Sequence, residues 1–289
     1  MDQIVKVKIL GINAGPRLGN TAVLVKEALK AAEAMEGVET EFISMHDHPV
    51  TPCNVCHGER LCYGDKKGIF PDSTNYCYMF GQKKNDHGNM FVDKFVESDG
   101  IILGSPTHEW DYSCECKALF SRLRAFCEHV LTPFHGKMRN KPIGAVTTSF
   151  NKWGGAETTI FAMLRWGMGM GMIPVGSETT EPDRAPNAGP FGGIGNVGDA
   201  KLWWDEQAIL PENSRVSPPT TSIQALRSSR CVGRNVTSVA IAMKNGIALL
   251  ESNGYHLPKG SLPKKWPKAF VNEGSYLEYL AGQGEIELV

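Results

Sequence analysis

The chain has 289 residues, 42% hydrophobic and 21% charged, with 30 basic against 31 acidic side chains and a net charge of -1. That balance fits a globular protein of one large domain, or one domain with additions, and gives no global field for nucleic acid, an anionic membrane or a strongly charged partner. No stretch approaches the roughly 18 apolar residues of a spanning helix, Met1-Asp2-Gln3 lacks the basic region of a signal peptide, and eight cysteines are too few for a disulfide scaffold. A cytoplasmic protein with reduced thiols is therefore expected.

In chain order, residues 5–13 (VKVKILGIN) are β-branched and apolar enough for a buried parallel strand, and residues 20–35 carry helical periodicity. Residues 39–44 read as a second strand. An elaborated connection with Cys, His and Gly but no clear period follows over 45–88. A short helix is predicted at 89–97, a third strand at 100–104 (GIILG), a helix at 117–131, a fourth strand at 142–148, a helix at 156–170 and a fifth strand at 172–176. Residues 177–221 are rich in Gly and Pro and too long for a simple connector, which marks a functional loop. Helical pattern resumes over 222–250. The tail from 252 onward lies beyond the core, as an oligomerisation arm or as a strap on its own subunit. Domain limits of 1–251 for the core and 252–289 for the extension follow.

Strands alternating with helices at this spacing imply an α/β fold, a doubly wound five-stranded parallel sheet. In such sheets ligands sit outside the carboxyl ends of the strands, so the informative segments follow Asn13, Gly104, Thr148 and Gly176. After Asn13, the loop Gly15-Pro16-Arg17-Leu18-Gly19 leads into Asn20-Thr21 at a helix start, where unpaired N–H groups and the helix dipole favour a phosphate. Asn20 or Thr21 is expected to cap that helix. The spacing matches neither the P-loop nor the Rossmann dinucleotide pattern. Taken alone, the loop reads equally as an ordinary capped turn. Gly193-Ile194-Gly195-Asn196-Val197-Gly198 does match G-x-G-x-x-G, but it sits in a Pro-rich stretch without a preceding strand and reads as loop backbone.

Four segments in series carry a family resemblance: Gly15-Pro16-Arg17-Leu18-Gly19-Asn20-Thr21, Gly104-Ser105-Pro106-Thr107, Gly154-Gly155-Ala156-Glu157-Thr158-Thr159, and Gly171-Met172-Ile173-Pro174-Val175-Gly176. Gly189-Pro190-Phe191-Gly192 and Gly233-Arg234-Asn235-Val236 extend it. Together they resemble the NAD(P)H-dependent FMN reductase and type IV quinone reductase branch of the flavodoxin-like superfamily, which includes the tryptophan-repressor-binding-protein family. The resemblance implies a flavodoxin-like fold, FMN with its phosphate on Arg17, Asn20 and Thr21, and a flavin ring between Ser105, Pro106, Thr107, His108 and Trp110 on one side and Ser149, Trp153, Gly154 and Gly155 on the other. It also implies NADH or NADPH as co-substrate, a quinone or similar aromatic acceptor, and a homo-oligomer. Gly15 stands where the family usually has Ser, and His108-Glu109-Trp110 replaces an aromatic-Phe-Gly or Arg-Phe-Gly run. His108 is the candidate proton donor to a reduced acceptor, because imidazole exchanges protons near neutral pH.

Cys53-Asn54-Val55-Cys56, with Cys62 and Cys77, could hold a [4Fe–4S] cluster or zinc, and His46, His48 and His57 offer nitrogen nearby. Iron–sulfur flavoproteins belong to the same superfamily and carry a cysteine cluster in this connection. The wider spacing here favours reduced thiols, so the cluster stands as the alternative. Cys114, Cys116, Cys127 and Cys231 fall in helical patterns as small packing residues.

Overall fold

A computed structural model describes residues 5–53, 85–127, 136–149, 154–178, 192–196 and 223–255, together with short pieces of the tail. The elements are β1 (Val7–Asn13), α1 (Asn20–Glu33), β2 (Val38–Ser44), α2 (Gly88–Glu97), β3 (Gly100–His108), β4 (Asp111–Tyr112), α3 (Cys114–Cys127), β5 (Pro142–Ser149), α4 (Ala156–Gly169), β6 (Ile173–Val175), β7 (Gly193–Asn196), α5 (Ile223–Ser252), β8 (Lys265–Trp266) and β9 (Glu287–Leu288).

The main sheet runs β2-β1-β3-β5-β6, and all of these pairs are parallel. This is the flavodoxin-like order, in which successive crossovers place helices on both faces. Alternation along the strands sorts the core accordingly. Val7 and Ile9 of β1 and Ile102 of β3 pack with Leu24, Val25 and Ala28 of α1 and Val232 and Val236 of α5. Leu10 and Ile12, with Ile101 and Leu103, face Phe91 and Phe95 of α2, Leu119 and Leu123 of α3, and Ile160 and Met163 of α4. Burial of these apolar faces on a sheet paired throughout its centre holds the layers together.

Two strands join the five expected. β4 folds back antiparallel on β3, pairing Thr107 with Tyr112 and His108 with Asp111. β7 is the segment read from the sequence as loop backbone, and that reading is corrected: Gly193–Asn196 pairs in parallel with Val146–Ser149 of β5. β6 pairs with Pro142–Gly144 of the same strand. One edge position is therefore filled by two pieces of chain, β6 beside the first half of β5 and β7 beside the second. Four residues, two of them glycine, carry too little periodicity to reveal a strand; the paired edge of β5 supplies what the sequence lacks. Helix α3 begins at Cys114, three residues before the predicted start, because the Ser113 hydroxyl accepts from the Cys116 N–H and caps it. In the extension, β8 and β9 pair with each other in parallel.

Candidate functional site

The carboxyl ends of β1, β3 and β5 open on the same edge of the sheet, and their loops interlock. Helix α1 starts from Gly19, which makes no side-chain cap hydrogen bond, and its first turn contains no acid. The expected cap by Asn20 or Thr21 is corrected, since both lie inside the helix. The bare N-terminus leaves its dipole and first-turn N–H groups directed at the loop, as an anion site requires. Arg17 is exposed beside it. Asn13, at the end of β1, donates from Nδ2 to the Arg17 carbonyl (2.9 Å) and the Ser44 hydroxyl (2.8 Å), fixing the loop from below. Its Oδ1 is buried and has no partner, a polar atom under the loop that suits a donor from a bound group. His46, considered from the sequence as a metal ligand, instead places Nδ1 2.9 Å from the Pro16 carbonyl.

Gly15, the departure from the family's usual Ser, is explained by packing. A Cβ there would lie 2.8 Å from Pro106 Cδ, so the loop after β1 and the loop after β3 approach too closely for a side chain. Ser113 strengthens this contact by donating from its hydroxyl to the Ala14 carbonyl at 2.6 Å. The Ser105 hydroxyl turns inward, donating to the Pro106 carbonyl (3.0 Å) and accepting from the Ser113 N–H (2.9 Å). Threonines tie in the loop after β5: Thr21 Oγ1 lies 2.7 Å from Thr148 Oγ1, Thr147 donates to the Ser105 carbonyl at 2.6 Å, and Thr159 donates to Thr107 at 3.1 Å.

His108, Glu109, Trp110 and Asp111 form the β3–β4 hairpin. Its two central residues, Glu109 (φ 48°) and Trp110 (φ 64°), both lie in the left-handed region normally left to Asn and Gly in such turns. That conformation costs energy and persists because neighbours impose it. One neighbour is Gly155, itself at φ 87°, where a Cβ would lie 2.7 Å from both the Cα and the carbonyl oxygen of Trp110. The hairpin thus rests against the start of α4, with His108 exposed and the Trp110 indole 66% exposed at the rim. Ser149 is buried at the end of β5, Gly154 is half-buried, and Trp153 lies outside the described residues. Below the loops, burial pushes the Cys116 thiol well above its ordinary range, against an opposing hydrogen bond with Ser105, so it is a neutral packing group. Cys231 is likewise buried, whereas Cys114 is exposed and does not pack as expected.

Sequence reasoning therefore located the loops but missed their fasteners. Asn13, Ser113, Thr147, Thr148 and Thr159 hold the three loops together, and only the run Thr147-Thr148-Ser149 at a strand end offered a signal. The fit to FMN rests on the uncapped, acid-free helix start, the unpartnered Asn13 Oδ1 and glycine-permitted approaches at Gly15 and Gly155. In such a site Arg17, Asn20 and Thr21 would hold the phosphate.

Cys53 is half-buried, and its N–H donates to Ser121 Oγ of α3 at 3.1 Å. Cys56, Cys62 and Cys77 lie outside the described residues, as does His57. His48 packs edge-on against His87, with ring centroids 4.9 Å apart.

Comparison with known proteins agrees with this geometry. An iron–sulfur flavoprotein of Methanocaldococcus jannaschii is 36% identical over 195 residues, covering 67% of this chain and 84% of that protein. One from Archaeoglobus fulgidus is 24% identical over 240 residues, covering 83% and 98%. Among solved structures, RosB with a bound 8-demethyl-8-formylriboflavin-5'-phosphate shares the fold at 14% identity, with a TM-score of 0.54 over 86% of this chain and 88% of that one. The model of the NADPH-dependent FMN reductases matches residues 7–182, from β1 past β6. The chain is a flavodoxin-like protein that belongs to the NADPH-dependent FMN reductase family.

Proposed function

We propose that this protein is an FMN-dependent oxidoreductase that takes hydride from NADH or NADPH and passes two electrons to a quinone or similar flat aromatic acceptor in alternating half-reactions. FMN, when bound, supplies the hydride-accepting and hydride-donating chemistry. The chain's own contribution is to hold the phosphate at the start of α1, to hold the ring edge near Gly154 and Gly155, and to shape the space above the ring. The observation that carries the reading is the strained hairpin, which leaves the Trp110 indole 66% exposed beside Gly155. A large aromatic side chain at a wet rim offers a stacking face to a planar acceptor. His108, exposed on the same hairpin, is placed to donate a proton to the reduced acceptor.

A second reading is favoured by the relatives named iron–sulfur flavoproteins and by the anchoring of Cys53 on α3. In it, Cys53, Cys56, Cys62 and Cys77 hold an iron–sulfur cluster and the protein relays electrons between FMN and partner proteins. Anaerobic purification followed by iron and acid-labile sulfide analysis separates the two. Flavin bands without iron, with bleaching by NAD(P)H and reoxidation by benzoquinone, support the first. Stoichiometric iron and sulfide, with no bleaching by either nucleotide, support the second and overturn the first.

A further inference from the structure

Two successive carbonyls in the loop after β1 are held by side chains from the strand ends. Asn13 Nδ2 donates to the Arg17 carbonyl at 2.9 Å, and His46, just beyond β2, sets Nδ1 2.9 Å from the Pro16 carbonyl. A carbonyl oxygen only accepts, so the imidazole hydrogen sits on Nδ1, and the nitrogen of the Asn13 amide, not its oxygen, faces Arg17. The two anchors share one base. Ser44 Oγ accepts from Asn13 Nδ2 at 2.8 Å and from the His46 N–H at 3.2 Å. The Met45 N–H donates to the Asn13 carbonyl at 2.9 Å, where β1 and β2 pair Asn13 with Ser44. His46 is thus an exposed side chain on a rigidly placed backbone.

Among the described residues no peptide bond is cis, and in a trans peptide the N–H points away from its own C=O. With the Pro16 and Arg17 carbonyls both drawn toward the strand ends, the N–H groups of Arg17 and Leu18 point away from His46 and Asn13. Neither N–H has an acceptor among the described residues. We propose that His46 is a positioning residue for the cofactor: by tethering Pro16 it turns the Arg17 and Leu18 N–H groups toward the phosphate of FMN at the start of α1. Successive backbone N–H groups aimed one way make an anion cradle. They supply donors where Gly15 lacks the hydroxyl of the family's usual Ser. The proposal rests on the reading that the phosphate sits at that helix start, and it adds a side chain from the far end of β2 that shapes the loop without touching the ligand.

Titration of the full chain with FMN and, separately, with riboflavin tests this, because riboflavin has the same ring and ribityl chain but no phosphate. One ordinary hydrogen bond is worth about threefold to tenfold in an equilibrium. His46→Leu, which fills the volume without a donor, is expected to weaken FMN binding by that factor and to leave riboflavin binding and circular dichroism unchanged. Asn Nδ2 lies as many bonds from Cα as His Nδ1 does, so His46→Asn is expected to return FMN affinity to within about twofold of the wild type. Wild-type FMN affinity in folded His46→Leu, equal losses for FMN and riboflavin, or no recovery in folded His46→Asn would each overturn the proposal and leave the phosphate site standing. A wild type that binds FMN no more tightly than riboflavin would overturn the phosphate site, and the proposal with it.

Discussion

Arg122 of α3 and Asp86 form an ion pair of 3.3 Å in which both side chains are only 1% exposed. Arg122 also donates to the Thr51 carbonyl at 3.2 Å. Asp86 accepts from the Thr51 N–H at 2.6 Å and from the Gly88 N–H at 3.0 Å, while the His87 N–H donates to the Pro49 carbonyl at 3.0 Å. Thr51 and Asp86 stand before and after residues 54–84, so this buried pair closes the neck of the segment that carries Cys56, Cys62 and Cys77.

Breaking one side of that pair leaves a charge buried without its counterpart. Arg122→Ala or Asp86→Ala is therefore expected to destabilise the fold by about 3 to 5 kcal/mol. Thermal unfolding checks this. Replacing both residues with apolar ones of similar size is expected to cost less than either single change, and equal or greater loss in the double variant would refute the account.

The contact between Gly155 and Trp110 leaves no room for a methyl group, and the positive φ of Gly155 disfavours one independently. Gly155→Ala is expected to displace the hairpin and weaken FMN binding by about tenfold or more, with a stability loss of about 1 to 3 kcal/mol. Fluorescence titration of the apoprotein with FMN measures the first quantity. Unaltered affinity would mean that the hairpin and the flavin loop are not coupled.

His108 is exposed on the β3–β4 hairpin, where it pairs with Asp111. If it donates a proton to the acceptor, His108→Ala should slow reoxidation of the reduced protein by benzoquinone by about a hundredfold. Bleaching by NAD(P)H in stopped flow should stay at the wild-type rate. Equal slowing of both half-reactions would assign His108 to positioning of FMN instead.

Glu41 on β2 sits between Lys94 (2.7 Å) and Lys8 (2.9 Å). Burial alone would raise its pKa, but the hydrogen bonds from the two lysines outweigh burial and hold it below the ordinary carboxylate value. A lowered folded-state pKa means stability that is present above the unfolded value, near 4.3, and lost as pH falls through the folded one. Lys8 is shifted the other way, chiefly by its hydrogen bond to Glu41. Its contribution is complete below the unfolded lysine value and disappears only as alkaline pH passes the raised one. Glu41→Gln should therefore flatten the acid limb of a plot of melting temperature against pH and leave the neutral plateau only slightly lower, since the pair is partly exposed.

The order β-α-β-α, the five parallel core strands and the three loops at their carboxyl ends could be read from local composition. Buried parallel strands announce themselves as apolar runs, and phosphate loops as glycines before a helix. The sequence also marked Gly15 as a departure from its family and His108-Glu109-Trp110 as an unusual run, without saying why either is tolerated. Those reasons are tertiary. Gly15 is required by Pro106, ninety-one positions away, and the left-handed Glu109 and Trp110 are held by a hairpin that leans on Gly155. The strand at Gly193–Asn196 exists because β5 offers it an open edge beyond β6. Periodicity reports which face of an element is apolar, because burial acts on every turn or every second residue. It is silent about single contacts between distant loops, and those contacts gave the loop after the first strand its shape.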